Sequence, residues 1–288
     1  MRSPEYVSVA VRRPNGKIVL KREPFVSWTK RFKMLGFPLI RGGVILIESL
    51  ALGIKALNFS GEVAMEEEGK KKKTKKSERW TKFWLIGTVI LALGLGTAFF
   101  FFLPLWLSEL TGVKSGIVFN LIDGGIRLVL FLSYLILISS WKEIRRIFEY
   151  HGAEHKSVFA YEEGRPLTLE GARPYSTHHP RCGTSFLLVV MLVAIVVFVA
   201  LGKPNDLGDR LIRFLSIPLI GGISYEIIWL SGKKYGKKIA QILVAPGLWL
   251  QKITTREPDD DQLEVALVSL KSALNQDIST KVDIYPHS

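Results

Sequence analysis

Apolar residues in this chain come in blocks, and the length and period of each block predict a different element. Residues 5 to 23 alternate. Tyr6, Val7, Val9 and Val11 are strand formers, Pro14-Asn15-Gly16 supplies a turn, and Ile18-Val19-Leu20 returns, so the stretch reads as a β-hairpin. Residues 35 to 59 are long and apolar enough to cross a bilayer, but Arg41, Glu48 and Lys55 recur every seven residues on one helical face. Three charges on one span are unfavourable, so this block reads as a helix lying in the membrane interface, or packed against other helices by its polar stripe, with the interfacial placement favoured. Four further blocks have the length and composition of transmembrane helices. They are Phe83 to Leu107, Ile117 to Trp141 with Asp123 and Arg127 inside it, Gly183 to Leu201, and Leu211 to Leu230 with Arg213 and Glu226. Ile239 to Leu250, with Pro246-Gly247 inside, is too short to span and is expected to lie in the interface or to re-enter. Pro258 and Asp259-Asp260-Asp261 then open a helix whose Leu263, Ala266, Leu267, Leu270 and Leu274 form one apolar stripe.

The expected fold class is an all-α membrane protein, with about four transmembrane helices, interfacial helices and a small N-terminal β-hairpin. Its parts are a hairpin region (1–34), an interfacial or membrane-embedded amphipathic helix (35–59), a basic linker (60–82), a transmembrane bundle (83–250) interrupted by a loop (142–182), and a tail helix (251–288). Composition agrees: 48% of the 288 residues are hydrophobic although 23% are charged. A net charge of +13 points to nucleic acid or to an anionic membrane surface. The apolar blocks decide for the lipid bilayer and against nucleic acid. The run MEEEGKKKKTKKSERW reads as a solvated linker whose lysines hold anionic lipid headgroups.

Lysine and arginine also predict orientation. Residues 70 to 82 hold eight of them and residues 142 to 182 hold seven. The intervening loop 108 to 116 holds only Lys114, and the loop 202 to 210 holds Lys203 and Arg210, offset by Asp206 and Asp209. After the fourth helix come Lys233, Lys234, Lys237, Lys238, Lys252 and Arg256. Rich and poor loops alternate, so a multi-pass protein of the cell membrane with both termini cytoplasmic is expected. Met1 to Leu20 lacks the apolar run and small-residue cleavage site of a signal peptide.

Candidate chemistry concentrates in the loop 142 to 182, which holds four of the five histidines and the only cysteine. Ile144, Ile147, Phe148, His151, His155, Val158 and Phe159 fall on one face of a helix, with Arg145, Glu149 and Lys156 opposite. The second membrane helix is therefore expected to continue into the cytoplasm. Gly152 weakens that helix slightly, and so small a residue leaves room for a close neighbour. Two histidines one turn apart suit a single metal ion. The string His151-Gly-Ala-Glu154-His155 matches the His-x-x-Glu-His order of inverzincin metallopeptidases, which casts Glu154 as general base. Thr177-His178-His179-Pro180-Arg181-Cys182-Gly183 adds a His-x-x-Cys chelate at the mouth of the third membrane helix. His151, His155, His179 and Cys182 make a tetrahedral zinc set, with His178 a spare or supporting partner. Four ligands imply a closed, structural site, and three imply an open, catalytic one. A reading without metal makes Cys182 a nucleophile activated by histidine, Arg181 and the helix N-terminus, but leaves the paired histidines unexplained. Asp123 and Arg127 are spaced to pair within their helix, marking either a polar cavity or charges that hold the bundle together.

Several strings resemble the bacterial YqhQ family of membrane proteins. They are MRSPEYVSVAVRRPNGKIV, PLIRGGVILIESLALGIKAL, EYHGAEHKSVFAYE, HHPRCGTSF and TTREPDDDQLEVAL, and together they cover essentially the whole chain. Members of that family have been described as predicted metal-dependent enzymes, so the resemblance implies a metal site but no particular substrate. Family members typically carry a short glycine-rich stretch ahead of MRSP, so the resemblance also implies a preceding segment. The function expected from all this is a membrane-embedded zinc hydrolase acting at the cytoplasmic surface. The alternative is a non-catalytic membrane scaffold or transport component with a structural zinc.

Overall fold

The structure, a computed structural model, describes residues 1–67, 75–180, 182–231, 237–278 and 282–285, with backbone alone at 66–67, 75–79, 81–82, 85, 231 and 237–244. Strand alternation in the first block gives a hairpin, β1 (Tyr6–Arg12) and β2 (Ile18–Pro24), paired antiparallel from Tyr6↔Pro24 to Arg12↔Ile18. Gly16 takes φ +83 at the turn, and Asn15 Oδ1 accepts from the Lys17 amide at 3.0 Å, the local bonding for which turns favour these residues. Because side chains alternate across a strand, Val19 packs with Phe59 and Val63 on one face, while Ile18 and Leu20 pack with Val265 and Val268 on the other. A third strand, β3 (Val282–Ile284), runs parallel to β2. Three residues carry too little alternation to be recognised from sequence.

Ser27 caps the short α1 (Trp28–Arg31), and a 3-10 turn (Lys33–Gly36) leads into α2 (Ile40–Glu67). This helix is longer than the sequence pattern indicated and takes in residues 60–67, the start of the supposed linker. Its three charges, seven residues apart on one helix, meet different neighbours. Arg41 is bonded to Glu226. Glu48 is buried and accepts from Ser27 Oγ at 3.0 Å, the Trp28 amide at 2.5 Å and Arg2 at 3.1 Å. Lys55 lines a groove beside the sheet. Residues 68–74, the heart of the basic run, lie outside the described residues. The helix α3 (Lys75–Thr97) begins within the rest of that run.

Among the described residues, four helical segments are long and apolar enough to cross a membrane: Ile86–Glu109, Gly116–Ser139, Gly183–Leu201 and Leu207–Leu230. The chain is a helical membrane protein. The first segment runs from α3 through a π turn (Ala98–Phe102) into α4 (Leu103–Glu109). Pro104 lacks an amide hydrogen and its ring needs space in the preceding turn, which the wider π turn provides. The second is α5 (Gly116–Ser139), and it does not continue as one helix. Ser139 and Ser140 hydroxyls donate to the Ile136 carbonyl at 2.8 and 3.2 Å, Trp141 is extended, and a new helix α6 (Lys142–Glu162) begins. Serine bonding to its own backbone competes with helix propagation in this way.

The short α7 (Leu169–Ala172) precedes the third segment, α8 (Gly183–Leu201). The fourth is divided at Ser216 into α9 (Leu207–Leu215) and α10 (Ile217–Ser231). The stretch judged too short to span belongs to an 18-residue helix, α11 (Lys237–Thr254), with Pro246 inside it. Leu250 of α11 joins Phe131, Leu135 and Leu188 in the bundle core, and Gly247 lies against Ser185. Lys233 and Lys234 fall outside the described residues.

Beyond the bundle, α6 packs on α12 (Asp260–Ala273), whose start is fixed by a capping box of Asp259 and Gln262. Ala153 and Ala160 meet Leu263, Ala266, Leu267 and Leu270 there. Burying each of the three leucines contributes about 2 kcal/mol. The predicted faces of α6 need two corrections. Ile147 is exposed, whereas Lys156 is buried, because Nζ reaches the Arg173 carbonyl at 2.8 Å and Glu257 at 2.5 Å.

Candidate metal centre

Three stretches of chain converge where α6 passes the mouth of α8. A Cβ on Gly152 would fall 2.0 Å from the Arg256 carbonyl oxygen and 3.1 Å from Thr177 Cγ2. Only glycine lets the segment after α11 and the loop before α8 close on α6 from two sides. The Arg256 amide donates to the Phe148 carbonyl at 2.9 Å and fixes the first of these contacts.

The result is a pair of oriented imidazoles. His151 Nδ1 lies 2.8 Å from the Thr254 carbonyl, and His155 Nδ1 lies 2.5 Å from the Thr177 carbonyl. A carbonyl only accepts, so both rings carry their proton on Nδ1 and leave Nε2 for other partners. His151 Nε2 is 3.1 Å from Cys182 Sγ. Cys182 caps α8: its sulfur accepts from the Thr184 amide at 3.4 Å and sits 3.0 Å from Thr184 Oγ1. One donor atom from each of His151, His155 and Cys182 lies within 4.8 Å of the other two.

Electrostatics favour charge separation in this cluster. Burial alone pushes the Cys182 thiol up, but hydrogen bonds from His151 and His155, the charge of His151 and the Thr184 hydroxyl pull it down to about 5. Burial likewise disfavours the His151 imidazolium. Its bond to and charge pairing with Cys182, the Thr254 carbonyl and the charge of Glu154 outweigh that and raise it above the ordinary value. Thiolate and imidazolium stabilise each other.

The remaining candidates lie outside this trio. His179 is buried, but its amide donates to Gln251 Oε1 at 2.7 Å and its Nε2 faces Glu162 Oε2 at 3.2 Å. Its ring packs on Phe159, with centroids 4.5 Å apart. His178 is partly exposed and bonds through its amide to Ser176 Oγ at 3.0 Å. Desolvation, then the charges of His155 and Lys252, lower its pKa. Glu154 is exposed, and its charge acts on both His151 and the Met1 ammonium group. Arg181 lies outside the described residues. Thr177, Thr254 and Thr184 orient the cluster, Gln251 and Glu162 hold His179, and none of the five was evident in the sequence. The two threonine carbonyls are backbone groups, one of them 103 residues from its histidine.

Fold and site together define a helical membrane protein that carries a His/His/Cys cluster beside the bundle. The chain belongs to the family described as proteins of unknown function (DUF1385), which it matches over residues 37–276. It is 36% identical over 278 residues to the uncharacterized protein YqhQ of Bacillus subtilis (strain 168), a match covering 92% of this chain and 86% of that protein. No solved structure matches it.

Proposed function

We propose that this chain is a membrane-embedded, metal-dependent hydrolase whose zinc is held by His151, His155 and Cys182. The observation that carries the reading is the orientation of the two imidazoles. Metal-binding histidines characteristically donate the other ring N–H to a carbonyl or carboxylate, which fixes the tautomer, and both histidines here do so. Tetrahedral zinc at ordinary bond lengths separates nitrogen from sulfur by about 3.6 Å. His151 Nε2 and Cys182 Sγ stand 3.1 Å apart, close to that span, and all three donor atoms lie within 4.8 Å of one another. Since Cys182 already favours the thiolate, little free energy is spent in deprotonating it.

Three protein donors leave one position open, the pattern of catalytic rather than structural zinc. A bound zinc supplies a Lewis acid for a carbonyl or phosphoryl group. The protein's own residues do the rest. His151 and His155 hold position through the Thr254 and Thr177 carbonyls, and Cys182 contributes negative charge at the helix mouth. Glu154, three residues after His151 and open to solvent, takes a proton from the attacking water and returns it to the leaving group. His179 and Glu162 hold the loop in place. In this reading the site lies on the cytoplasmic side, with the lysines of residues 70 to 82 near anionic headgroups.

Metal analysis of purified protein tests the reading: about one zinc per chain is expected, lost in the His151→Ala/His155→Ala double variant. No bound transition metal, or unchanged content in the double variant, would overturn it. A scaffold with a structural zinc is the second reading, favoured by how the cluster ties α6, the mouth of α8 and the end of α11 together. Glu154→Gln separates the two. Retained zinc with lost complementation of a deletion strain supports hydrolysis, and retained zinc with full complementation supports the scaffold.

A further inference from the structure

The stretch between β2 and α2 exposes apolar and basic side chains together. Residues 26–40 hold three basic residues, Lys30, Arg31 and Lys33, and no acidic one. All three are exposed. Trp28, Phe32, Met34, Phe37 and Ile40 around them are exposed as well, Met34 at 77% and Phe37 at 61%. So concentrated an apolar surface marks a contact with a partner or a membrane.

The packing of α2 on α10 sets the depth of this stretch. A Cβ on Gly222 would fall 2.3 Å from the Leu39 carbonyl oxygen, and one on Gly42 would fall 2.6 Å from Tyr225 Cβ. These contacts advance together, so α2 runs in the same direction as α10. The span that contains α10 ends at Leu230. Gly222 stands eight residues earlier, about 12 Å below that end. From Ile40 to Glu48 α2 climbs by about the same 12 Å, and Glu48 accepts from the Trp28 amide at 2.5 Å. Trp28 therefore stands near the level of the span's end. From there the chain dips to Leu39, reverses at that residue's φ of +69 and returns along α2.

The dip suits a setting without water, where backbone groups must find partners within the protein. The Phe32 amide donates to the Trp28 carbonyl at 2.8 Å, and the Leu35 and Arg41 amides donate to the Phe32 and Phe37 carbonyls at 3.0 Å each. The Leu39 amide donates to Glu226 Oε1 at 3.4 Å. Arg41, two residues past the reversal, donates from Nε to the same carboxylate at 2.7 Å and lies over the Trp229 ring at 4.2 Å, so the charges cancel there. We propose that residues 26–40 form a re-entrant wedge in one leaflet of the bilayer, and that Lys30, Arg31 and Lys33 hold anionic phospholipid headgroups at its rim. The leaflet is the one beside the histidines, because α8 runs away from Cys182 and α10 runs back. Charge complementarity, and continuity with the spanning surface of α10, select lipid over a second copy of the chain. Lysine and arginine bury apolar stems while their charges reach the headgroups. The inference does not depend on the His/Cys centre.

Photo-cross-linking tests it, with p-benzoylphenylalanine in place of Phe37 in the full chain. The protein is held in phosphatidylcholine nanodiscs containing a small fraction of phosphatidylglycerol. Illumination should give a lipid adduct in which phosphatidylglycerol is enriched at least about fivefold over its share of the bilayer, the effect of one basic residue near a surface. Lys30→Gln/Arg31→Gln/Lys33→Gln changes only exposed side chains; it should keep the adduct and remove the enrichment. The same probe at Leu57 is a second arm. Leu57 is 72% exposed but lies about 25 Å further along α2 than Ile40, beyond the bilayer, and should capture no lipid. Lipid capture at Leu57 equal to that at Phe37 would show α2 lying flat in the interface and overturn the wedge. Capture of a second chain instead of lipid at Phe37, no adduct there, or an enrichment absent from the start or unchanged in the triple variant would equally overturn the proposal.

Discussion

Acid titration of Cys182 in metal-free protein measures how firmly the imidazole pair is aimed at the sulfur. The thiol moves from an ordinary 9.0 to about 5. At pH 7 that changes the thiolate fraction from about 1% to about 99%, and it corresponds to about 5 kcal/mol of differential interaction. The rate of alkylation at pH 7 is a poor readout. A thiolate four units less basic is intrinsically slower by about fortyfold to a hundredfold, which largely cancels the gain in its population. The shape of the pH profile survives that cancellation. Thiolate absorbance near 240 nm, taken as a difference against Cys182→Ser, reports one group because the chain has one cysteine. A midpoint near 5 is expected, and His151→Ala should raise it by about two units. The signs for stability follow. The depressed thiol stabilises the fold fully above its unfolded value near 9, and that contribution is lost as pH falls through about 5. The raised His151 stabilises fully below about 6.5, and its contribution is lost as pH rises through its folded value. A midpoint of 8 or above, or one unmoved by His151→Ala, refutes the geometry.

Other expectations are independent of that titration. Gly152→Ala drives a methyl group into the Arg256 carbonyl and should lower stability by about 1–3 kcal/mol, seen as a lower melting temperature with weaker zinc retention; a neutral result contradicts the close approach. Leu267→Ala in α12 should cost about 2–5 kcal/mol and, by loosening α6, speed proteolysis between residues 160 and 180. Reporter fusions after residue 160 should read cytoplasm and fusions at 112 and 205 the opposite side, and any inversion breaks the four-span orientation.

How much of this was legible depended on whether the signal was local. The four spans, the hairpin and the stripe Leu263–Ala266–Leu267–Leu270 rest on composition and period, and they appear near the expected positions. Boundaries failed where a side chain bonds its own backbone: the α5–α6 break turns on Ser139 and Ser140, which no hydropathy window resolves. Arg41 and Glu48 could be placed on one helical face but not paired, because their partners, Glu226 and the Ser27 region, are remote in sequence. At the site, the i,i+4 histidines and the room at Gly152 could be read directly. That His151 and His155 meet Cys182, while His179 turns to Glu162, depends on how two loops close and has no counterpart in spacing alone.

The pairing of residues 18–20 with 282–284 has a consequence for biosynthesis. The hairpin, which precedes the four apolar helices in the chain, is finished by a strand that follows them all, and α12 on the other face of the same sheet also follows them. The Thr254 carbonyl that aims His151 also arrives only after every spanning helix has been made. A nascent chain therefore makes its apolar helices while the part beside the bundle is still open, and closure over such sequence distances is slow. If the cluster holds zinc as proposed, that capacity would mark chains whose α11 and α12 have been made, by the same contact that orients His151.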